Sequence, residues 1–177
     1  MSEQLQRLFF SLKFSAVQQQ QLLPYQQQAL SLCSGATAVD SDNLHLTLFF
    51  LGLVNETAKQ QLIVSAKRIK LPGFTLTLDL ISGFIKPKIV YLAPSMIPEG
   101  LLQLQQQITT CCHAAGFSDI HDNYRPHITL ARQAMFGQSI KVAPLTLDVS
   151  EFALYLSNSI NGKVRYSPLH IYRLSTV

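Results

Sequence analysis

The chain reads HLTLFFLG from His45 to Gly52 and HITLAR from His127 to Arg132. Both stretches have the pattern His-aliphatic-Thr-Leu inside an apolar run of the kind that forms β-strands. Histidine and threonine are unusual in a buried strand, and residues two apart in a strand point to the same face. Each stretch therefore predicts a strand that presents one histidine and one threonine together, with aliphatic residues anchoring the opposite face.

An internal repeat surrounds the two motifs. Each half predicts a strand, a helix and a motif strand, at 7–14, 15–35 and 43–52 in the first half and at 88–95, 98–115 and 127–132 in the second. The sequences LTLDL at 76–80 and LTLDV at 145–149 match as the next strands of the two halves. The repeat predicts two lobes related by a pseudo-two-fold axis, across which His45 and His127 face each other.

Local signals define several further elements. Asn55 is expected to cap a helix over 56–69, and Pro24 to kink or start the helix of the first half. Residues 145–156 form one predicted strand, and Asn161-Gly162 predicts a hairpin after it. The helix at 98–115 has a predicted buried face at helical spacing, consisting of Leu101, Leu104, Ile108, Cys111 and Ala115.

Length and composition indicate one globular domain over residues 1–177. The chain is 47% hydrophobic and 14% charged, and its 14 basic residues against 10 acidic ones permit a nucleic-acid or phosphate ligand without requiring it. Three cysteines with no Cys-x-x-Cys spacing argue against a disulfide framework or a zinc site. Since the sequence shows no signal peptide and no apolar run long enough to span a bilayer, a cytoplasmic protein is expected.

Two imidazoles and two hydroxyls in one cleft suit phosphodiester chemistry. One imidazole can accept a proton from water while the other, protonated, donates one to a leaving oxygen. The hydroxyls of Thr47 and Thr129 can donate to phosphate oxygens, and Arg132 can bind one with its forked guanidinium. Strict alternation places Arg132 on the face opposite His127, so it reaches the cleft only if the strand ends or bulges there. Because the acidic residues are dispersed, no metal ion is expected.

The competing interpretation of each motif is a hydrogen-bonded pair in the protein core. A single His-x-Thr in a strand is more often such a pair than a functional site. Two copies at matching positions of a repeat, in a chain with five histidines, are difficult to attribute to chance. The remaining histidines, His113, His121 and His170, have no such partner and are expected to be surface or structural residues.

The chain resembles the two-histidine (2H) phosphoesterases, which carry two His-x-Thr/Ser-x motifs, and within them the LigT-like RNA 2',3'-cyclic phosphodiesterases, also called 2'-5' RNA ligases. The resemblance rests on RLFFSL, NLHLTLFFLG, RPHITLAR and FALYLSNSINGKVRYSPLHIYRL, which are spread over nearly the whole chain. It implies a bilobal α/β (α+β) fold, with two antiparallel sheets forming a central cleft and helices outside. It also implies hydrolysis of a terminal 2',3'-cyclic phosphate on RNA to a 2'-phosphate without a cofactor, with possible reverse ligation.

By this resemblance His45 is the proton donor to the leaving 3' oxygen and His127 is the proton acceptor that activates water. Thr47, Thr129 and Arg132 are implied to hold the phosphate. The residues themselves leave the two histidine roles interchangeable, because the repeat makes the two rings chemically alike. Five further residues are candidates to line the cleft, with core or surface roles equally open: Arg7, Phe10, Tyr124, Arg125 and Tyr166.

Alternation also predicts an asymmetric cleft. The next residue on the same face as the histidine and threonine is the bulky Phe49 in the first motif and the small Ala131 in the second. The extra room beside His127 is expected to hold the phosphate or the attacking water. Two alternatives remain open from the sequence. The substrate could be 2',5'-linked oligonucleotides or small cyclic nucleotides, or the cleft could bind RNA ends without turning them over. A monomer without membrane association is expected.

Overall fold

The computed structural model describes residues 3–176, which contain three α-helices and nine strands. In chain order the elements are β1 (Gln6–Leu12), α1 (Ala16–Leu32), β2 (Thr37–Ala38), a 3-10 turn (Ser41–Asn43), β3 (Thr47–Val54), α2 (Glu56–Ala66), β4 (Phe74–Phe84), β5 (Ile89–Ala93), α3 (Glu99–Ala114), β6 (Ile128–Arg132), β7 (Ser139–Val149), β8 (Glu151–Ile160) and β9 (Lys163–Arg173). The predicted succession of strand, helix and motif strand is present in both halves, as β1, α1 and β3 and as β5, α3 and β6, whereas the two-residue strand β2 was not predicted.

The strands form two antiparallel sheets. The first sheet has the order β3-β1-β8-β9, and the second has the order β2-β6-β5-β4-β7. The strand that carries each motif lies beside the first strand of its own half, β3 beside β1 and β6 beside β5. The predicted α+β fold with two antiparallel sheets is confirmed. By strand order, β3-β1-β8 of the first sheet corresponds to β6-β5-β4 of the second, as the predicted pseudo-two-fold repeat requires.

The predicted match of LTLDL with LTLDV as equivalent strands is wrong. The two segments are neighbours in the second sheet, where Leu76 of β4 lies opposite Leu147 of β7. The strand that corresponds to β4 is β8 of the first sheet. The strand predicted at 145–156 is also wrong as a single element, because β7 ends at Val149 and β8 begins at Glu151 in the other sheet. Both segments alternate in the same way, and alternation does not specify which strand pairs with which.

Local capping signals agree with the structure, with small differences at the helix ends. The side chain of Asn55 accepts a hydrogen bond from the backbone N–H of Ala58 at 2.8 Å, as a helix cap does. Pro24 lies inside α1 and does not start it, because Ser15 caps that helix through a reciprocal pair of hydrogen bonds with Gln18. The hairpin at Asn161-Gly162 is confirmed, with both residues at positive φ between β8 and β9.

The helices cover the sheets in a crossed arrangement. Helix α1 packs on the second sheet, where the hydroxyl of Tyr25 donates to the carbonyl of Ala143 in β7 at 2.6 Å. Helix α3 packs on the first sheet, where the side-chain amide of Gln105 donates a hydrogen bond to the carbonyl of Leu48 in β3. The buried face of α3 ends on Cys112, whereas the predicted Cys111 is half-buried. Each half of the chain thus supplies the helix that supports the motif strand of the other half.

One hydrophobic core cluster joins residues of both sheets. Leu46 and Ile128, the aliphatic residues inside the two motifs, are fully buried in it. Across residues 3–176, the structure contains no helix with the length and apolar character needed to cross a membrane.

Candidate active site

The two motifs meet at an antiparallel bridge between Leu46 and Ile128. Residues directly opposite in an antiparallel pair share a face, with Cβ atoms roughly 4.5–5.5 Å apart. The bridge therefore places His45 opposite Thr129 and Thr47 opposite His127, while the two aliphatic residues point into the core. The structure thus brings the four polar side chains of the motifs to one face, at the junction of the two sheets.

His45 is held by two hydrogen bonds. Its Nδ1 lies 2.7 Å from the carbonyl oxygen of Asn43, and its Nε2 lies 3.0 Å from Oγ1 of Thr47. A carbonyl oxygen can only accept, so Nδ1 carries the proton. In the neutral ring Nε2 is therefore the acceptor, and the hydroxyl of Thr47 donates to it.

His127 is anchored in the same way. Its Nδ1 donates to the carbonyl oxygen of Arg125 at 2.7 Å, again to the residue two positions earlier. Its Nε2 consequently carries the free lone pair of the neutral ring. Among the described residues, Nε2 of His127 has no hydrogen-bond partner comparable to Thr47. The two rings thus share a tautomer and differ in how their reactive nitrogens are occupied.

Burial and positive charge depress the pKa of both histidines. Burial is the largest cause of the lowering of the His45 pKa from 6.5 to about 4; the carbonyl of Asn43 acts against it, and the charges of His127 and Arg132 add to it. Burial also lowers the pKa of His127, with the carbonyl of Arg125 opposing it and His121 and Arg132 adding to it. Both rings are therefore neutral near pH 7 in the free protein. The positive charge of Arg132 contributes to the lowering of both pKa values.

A β-bulge turns Arg132 towards this face. Strand β5 pairs Tyr91 with Thr129 and Val90 with Ala131, which leaves one extra residue on β6 between the two pairs. Tyr91 and Val90 point to opposite faces, so Ala131 faces the core and Arg132, the next residue, faces the cleft with Thr129. The ring of Tyr91 lies 5.2 Å from that of His127, which identifies this face as the cleft side. The bulge therefore brings Arg132 into the site.

The first motif contains the corresponding bulge. Strand β1 pairs Ser11 with Thr47 and Phe10 with Phe49, again with one extra residue between the pairs. Phe10 is fully buried in the core, and Phe49 shares its face. The expectation that Phe49 narrows the cleft beside His45 is therefore wrong. The residue that corresponds to Arg132 is Phe50, which is 37% exposed.

An aromatic row supports the His45 side of the cleft. Phe50 lies opposite Phe9 on β1, and Phe9 lies opposite Tyr155 on β8. The ring of Phe9 lies 5.0 Å from that of His45 and is stacked on Tyr155 at 5.4 Å. Tyr166 of β9 closes the group with its ring 4.9 Å from that of His45. Most of the surroundings of His45 are therefore aromatic carbon, which accounts for the strong desolvation of its ring.

The corresponding row on the His127 side is mixed. Arg132 lies opposite Ile89 on β5, and Ile89 lies opposite Phe84 on β4. The ring of Phe84 meets that of His127 edge-on at 5.3 Å, and the guanidinium of Arg125 lies 6.0 Å above Phe84. This side of the cleft therefore combines aromatic packing with two cations.

The candidate lining residues divide into three groups. The first group contacts a catalytic candidate directly: the ring of Tyr166 packs against that of His45, and the backbone carbonyl of Arg125 accepts a hydrogen bond from His127. Arg7 belongs to the cleft side by register, because it lies two residues from Phe9 on β1. Tyr124 is not a free lining side chain, since its hydroxyl donates to the backbone carbonyl of Thr47 at 3.1 Å. Phe10 is excluded because it is fully buried on the opposite face.

Sequence reasoning missed five aromatic residues around the site: Phe9, Phe50, Phe84, Tyr91 and Tyr155. Alternation along β1 could have identified Phe9. The other four depend on which strands pair and where the pairing bulges, for which the sequence carried no signal. Of the remaining histidines, His113 pairs with Asp119 at 2.9 Å and His170 packs against Tyr172. Among residues 3–176, no group of three or more His, Cys, Asp or Glu side chains has an arrangement that could hold a metal ion.

Comparison with known proteins identifies the family of this chain. Residues 25–158 match the model of the 2'-5' RNA ligase superfamily. The chain is 35% identical over 174 residues to RNA 2',3'-cyclic phosphodiesterase of Escherichia coli strain K12, covering 96% of this chain and 97% of that one. It is 28% identical over 135 residues to RNA 2',3'-cyclic phosphodiesterase of Thermotoga maritima, covering 70% of this chain and 71% of that one. The chain belongs to the 2'-5' RNA ligase superfamily.

Solved structures show the same fold. The crystal structure of E. coli LigT complexed with 3'-AMP superposes with a TM-score of 0.86 at 33% identity, covering 98% of this chain and all of that one. The structure of TT0787 from Thermus thermophilus superposes with a TM-score of 0.80 at 23% identity, covering 96% and 98% of the two chains. The two-sheet architecture therefore extends to relatives of low sequence identity.

Proposed function

We propose that this protein hydrolyses the 2',3'-cyclic phosphate ends of RNA to 2'-phosphates, using a pair of histidines and no metal ion. The observation that carries the proposal is the pairing of the two motifs through Leu46 and Ile128, which puts His45 and His127 on one face with the same anchored tautomer. The curated relatives named RNA 2',3'-cyclic phosphodiesterase support the choice of substrate. Residues 1–177 are proposed to act as one domain.

The proposed reaction is an in-line displacement at phosphorus. His127 accepts a proton from water through Nε2, and the water oxygen forms a bond to phosphorus. The bond between phosphorus and the 3' oxygen breaks, and protonated His45 donates its Nε2 proton to that oxygen. The product carries a 3' hydroxyl and a 2'-phosphate. Ligation would use the same groups in the same roles, with a 5' hydroxyl in place of water: His127 accepts the proton of that hydroxyl, the 5' oxygen bonds to phosphorus, and the 3' oxygen leaves with the proton of His45 to give a 2'-5' linkage.

The proton-donor role of His45 and the proton-acceptor role of His127 are proposed from the family and from the asymmetry of the site. Nε2 of His127 has its lone pair open to a water molecule, whereas Nε2 of His45 is occupied by the hydroxyl of Thr47. A ring with a pKa of about 4 gives up its proton readily once charged, which suits a donor. The negative phosphodiester would raise that pKa on binding and so favour the protonated ring.

Phosphate binding is proposed for Thr47, Thr129 and Arg132. The two hydroxyls lie on the face of the histidines, and the register of β6 puts Arg132 on the same face as Thr129. Charge-assisted bonds from a guanidinium to a phosphate are strong and directional. These groups would stabilise negative charge on the non-bridging oxygens as the new bond forms.

Small nucleotides are a second candidate substrate. The solved relatives include E. coli LigT complexed with 3'-AMP and E. coli LigT complexed with ATP. The aromatic row at His45 offers a surface that suits a nucleobase without demanding a longer strand. This candidate would be favoured if the protein hydrolysed cyclic mononucleotides or 2',5'-linked dinucleotides faster than a cyclic RNA end.

A direct assay tests the proposed function. A short RNA with a 2',3'-cyclic phosphate is incubated with the protein in a chelator, and the terminus is identified by its sensitivity to phosphatase and by mass. The expected product is a 2'-phosphate. Tight, salt-sensitive binding of RNA that stays intact would instead identify a binding protein. His113→Ala serves as a matched control, because this exposed histidine pairs with Asp119 away from the cleft.

We also propose that the protein acts as a monomer in the cytoplasm with RNA as its partner. Cys33, Cys111 and Cys112 are free thiols, two of them buried, which suits a reducing compartment. Light scattering after gel filtration would test the oligomeric state, with a mass near 19.8 kDa expected.

A further inference from the structure

The leucine that follows the threonine in each motif occupies the bulge, where the regular strand pairing is interrupted. In the second motif this residue is Leu130, which lies between the pairs that flank the bulge. Its carbonyl oxygen accepts two hydrogen bonds, from the backbone N–H of Val39 at 3.0 Å and from Nε2 of Gln26 at 2.8 Å. The first bond continues the pairing of β2 with β6, whereas the second comes from helix α1, so a side chain from outside the sheet also holds the bulge.

Gln26 is an unusual residue for this position. It lies on α1, is 4% exposed, and donates its second N–H to the carbonyl of Val39 at 2.8 Å. A buried amide is stable only where its hydrogen bonds are made, because burying an unpaired polar group is costly. The single side chain thus joins helix α1, the segment after β2 and the bulge of β6.

The first motif has a looser counterpart. Gln105 of α3 donates to the carbonyl of Leu48, the corresponding bulge residue, at 3.4 Å, and also to Oγ1 of Thr109 at 2.9 Å. The sequence QQQ occurs at 26–28 on α1 and at 105–107 on α3. The same side chain therefore meets the same backbone group twice, with the short, buried contact at the motif that carries Arg132.

We propose that Gln26 is a positioning residue for Arg132: its amide pins the carbonyl of Leu130 and so maintains the bulge that turns the guanidinium towards the two histidines. A shift of one residue in strand pairing exchanges the two faces of a strand. Without the bulge, Arg132 would take the core-facing position and leave the cleft. The inference rests on the proposed function in so far as Arg132 is taken to hold the substrate phosphate.

The variants Gln26→Met and Gln105→Met make a matched pair, since each replaces an amide by an apolar chain of similar length at the corresponding place. Binding of inorganic phosphate is measured by calorimetry, and the histidine titrations are followed by NMR. Q26M is expected to weaken phosphate binding about tenfold, the equivalent of about 1.4 kcal/mol. Q105M is expected to leave phosphate binding within about twofold of the parent, because its bond is long and half-buried.

The titrations separate positioning from general loosening of the fold. The positive charge of Arg132 lowers the pKa of both His45 and His127. The charge of His127 also lowers the pKa of His45, and the charge of His121 also lowers that of His127. If Arg132 withdraws in Q26M, both pKa values rise, as they do in Arg132→Ala. A double-mutant cycle completes the test, because Q26M should add nothing to phosphate binding or titration once Arg132 is alanine.

Three results would overturn the proposal. One is a folded Q26M that binds phosphate and titrates like the parent. Another is an equal loss in Q26M and Q105M, and a third is an undiminished effect of Q26M in the Arg132→Ala background. If Q26M does not fold, the variant Gln26→Asn is tested in its place. The shorter amide can reach one carbonyl at most, so its loss of phosphate binding should lie between those of the parent and Arg132→Ala. These measurements need no RNA turnover, so their failure is distinct from failure to form a 2'-phosphate.

Discussion

The two motif strands have the same backbone and different chemistry. Each anchors Nδ1 of its histidine on the carbonyl two residues earlier, and each carries a bulge after its threonine. The bulge delivers Phe50 to the cleft in the first motif and Arg132 in the second. A symmetric scaffold thus produces an asymmetric site, in which the side chain delivered to the cleft after the bulge is aromatic in one motif and cationic in the other.

This difference suggests an orientation for the substrate. The phosphate is expected beside Arg132, and the ribose and base are expected over the aromatic side chains of Phe50 and Tyr166. The leaving 3' oxygen then lies on the His45 side and the attacking water on the His127 side. A bound anion centred beside His45, away from Arg132, would contradict this orientation.

The largest expected effect comes from removing either ring. His45→Ala and His127→Ala should each lower kcat for the cyclic RNA end by about 10²–10⁴-fold, the usual contribution of general acid–base catalysis. Circular dichroism and thermal unfolding check that each variant keeps its fold. Retention of near-normal kcat by either variant would show that the two motifs do not act as a pair.

The next effect concerns acid stability. The pKa of His45 is about 4 in the folded protein against 6.5 when unfolded, so below pH 6.5 the unfolded chain binds more protons. Stability should be complete above pH 6.5 and decline as the pH falls towards 4, by up to about 3 kcal/mol from this residue. The measurement is urea unfolding at pH 7 and pH 4.5 for the parent and for His45→Asn.

His127→Asn provides the comparison between the two sides. The pKa of His127 is also lowered, so its replacement should remove a part of the acid-induced loss. His45 lies deeper among aromatic rings, and His45→Asn should remove the larger part. An unchanged pH dependence in His45→Asn would show that another group controls acid unfolding.

Arg132 and Phe50 give a direct test of the asymmetry. Arg132→Ala removes a charge-assisted contact worth about 1.5–3 kcal/mol, so kcat/KM should fall roughly 10–100-fold for every base at the RNA end. Phe50→Ala should act mainly on KM, by less than about tenfold, with a loss that depends on the terminal base. Equal losses in both variants, without any dependence on the base, would show that the cleft is not divided in this way.

The smallest expected effect is on the pH profile. With the proposed roles, activity needs His45 protonated and His127 neutral. Both pKa values lie below 6.5, so kcat/KM should be greatest between about pH 4 and 6.5. The charge of Arg132 lowers both values. In Arg132→Lys, which keeps the charge, the optimum should stay in place, whereas in Arg132→Ala it should move upwards by less than about one pH unit. A downward movement would contradict the position inferred for Arg132.

Several features of the site were accessible from local sequence. The period of two inside HLTL and HITL places each histidine with its threonine, and the matching of two halves indicates that they meet. Asn55 and Asn161-Gly162 specify a helix cap and a hairpin, because their side chains and positive φ values act within a few residues. These predictions succeeded because their physical causes are local.

Other features depended on partners distant in the chain. Phe49 was expected in the cleft because alternation was extended past Thr47, whereas pairing with β1 inserts an extra residue there. The segments at 76–80 and 145–149 were expected to be symmetric and are instead neighbours, since their alternation is the same in either arrangement. Phe84 and Tyr155 join the site only through the pairing of β4 with β5 and of β8 with β1.

The sequence by itself determined two motif strands, the sharing of a face by each His and Thr, and the expectation that the two faces meet. The tertiary structure decided which residue follows each motif into the cleft. A bulge is a property of two paired strands, and here it is held by a glutamine from a helix of the other half. Neither the pairing nor that contact is encoded in the spacing of residues along one strand, so the placement of Arg132 and Phe50 emerges only when the sheets assemble.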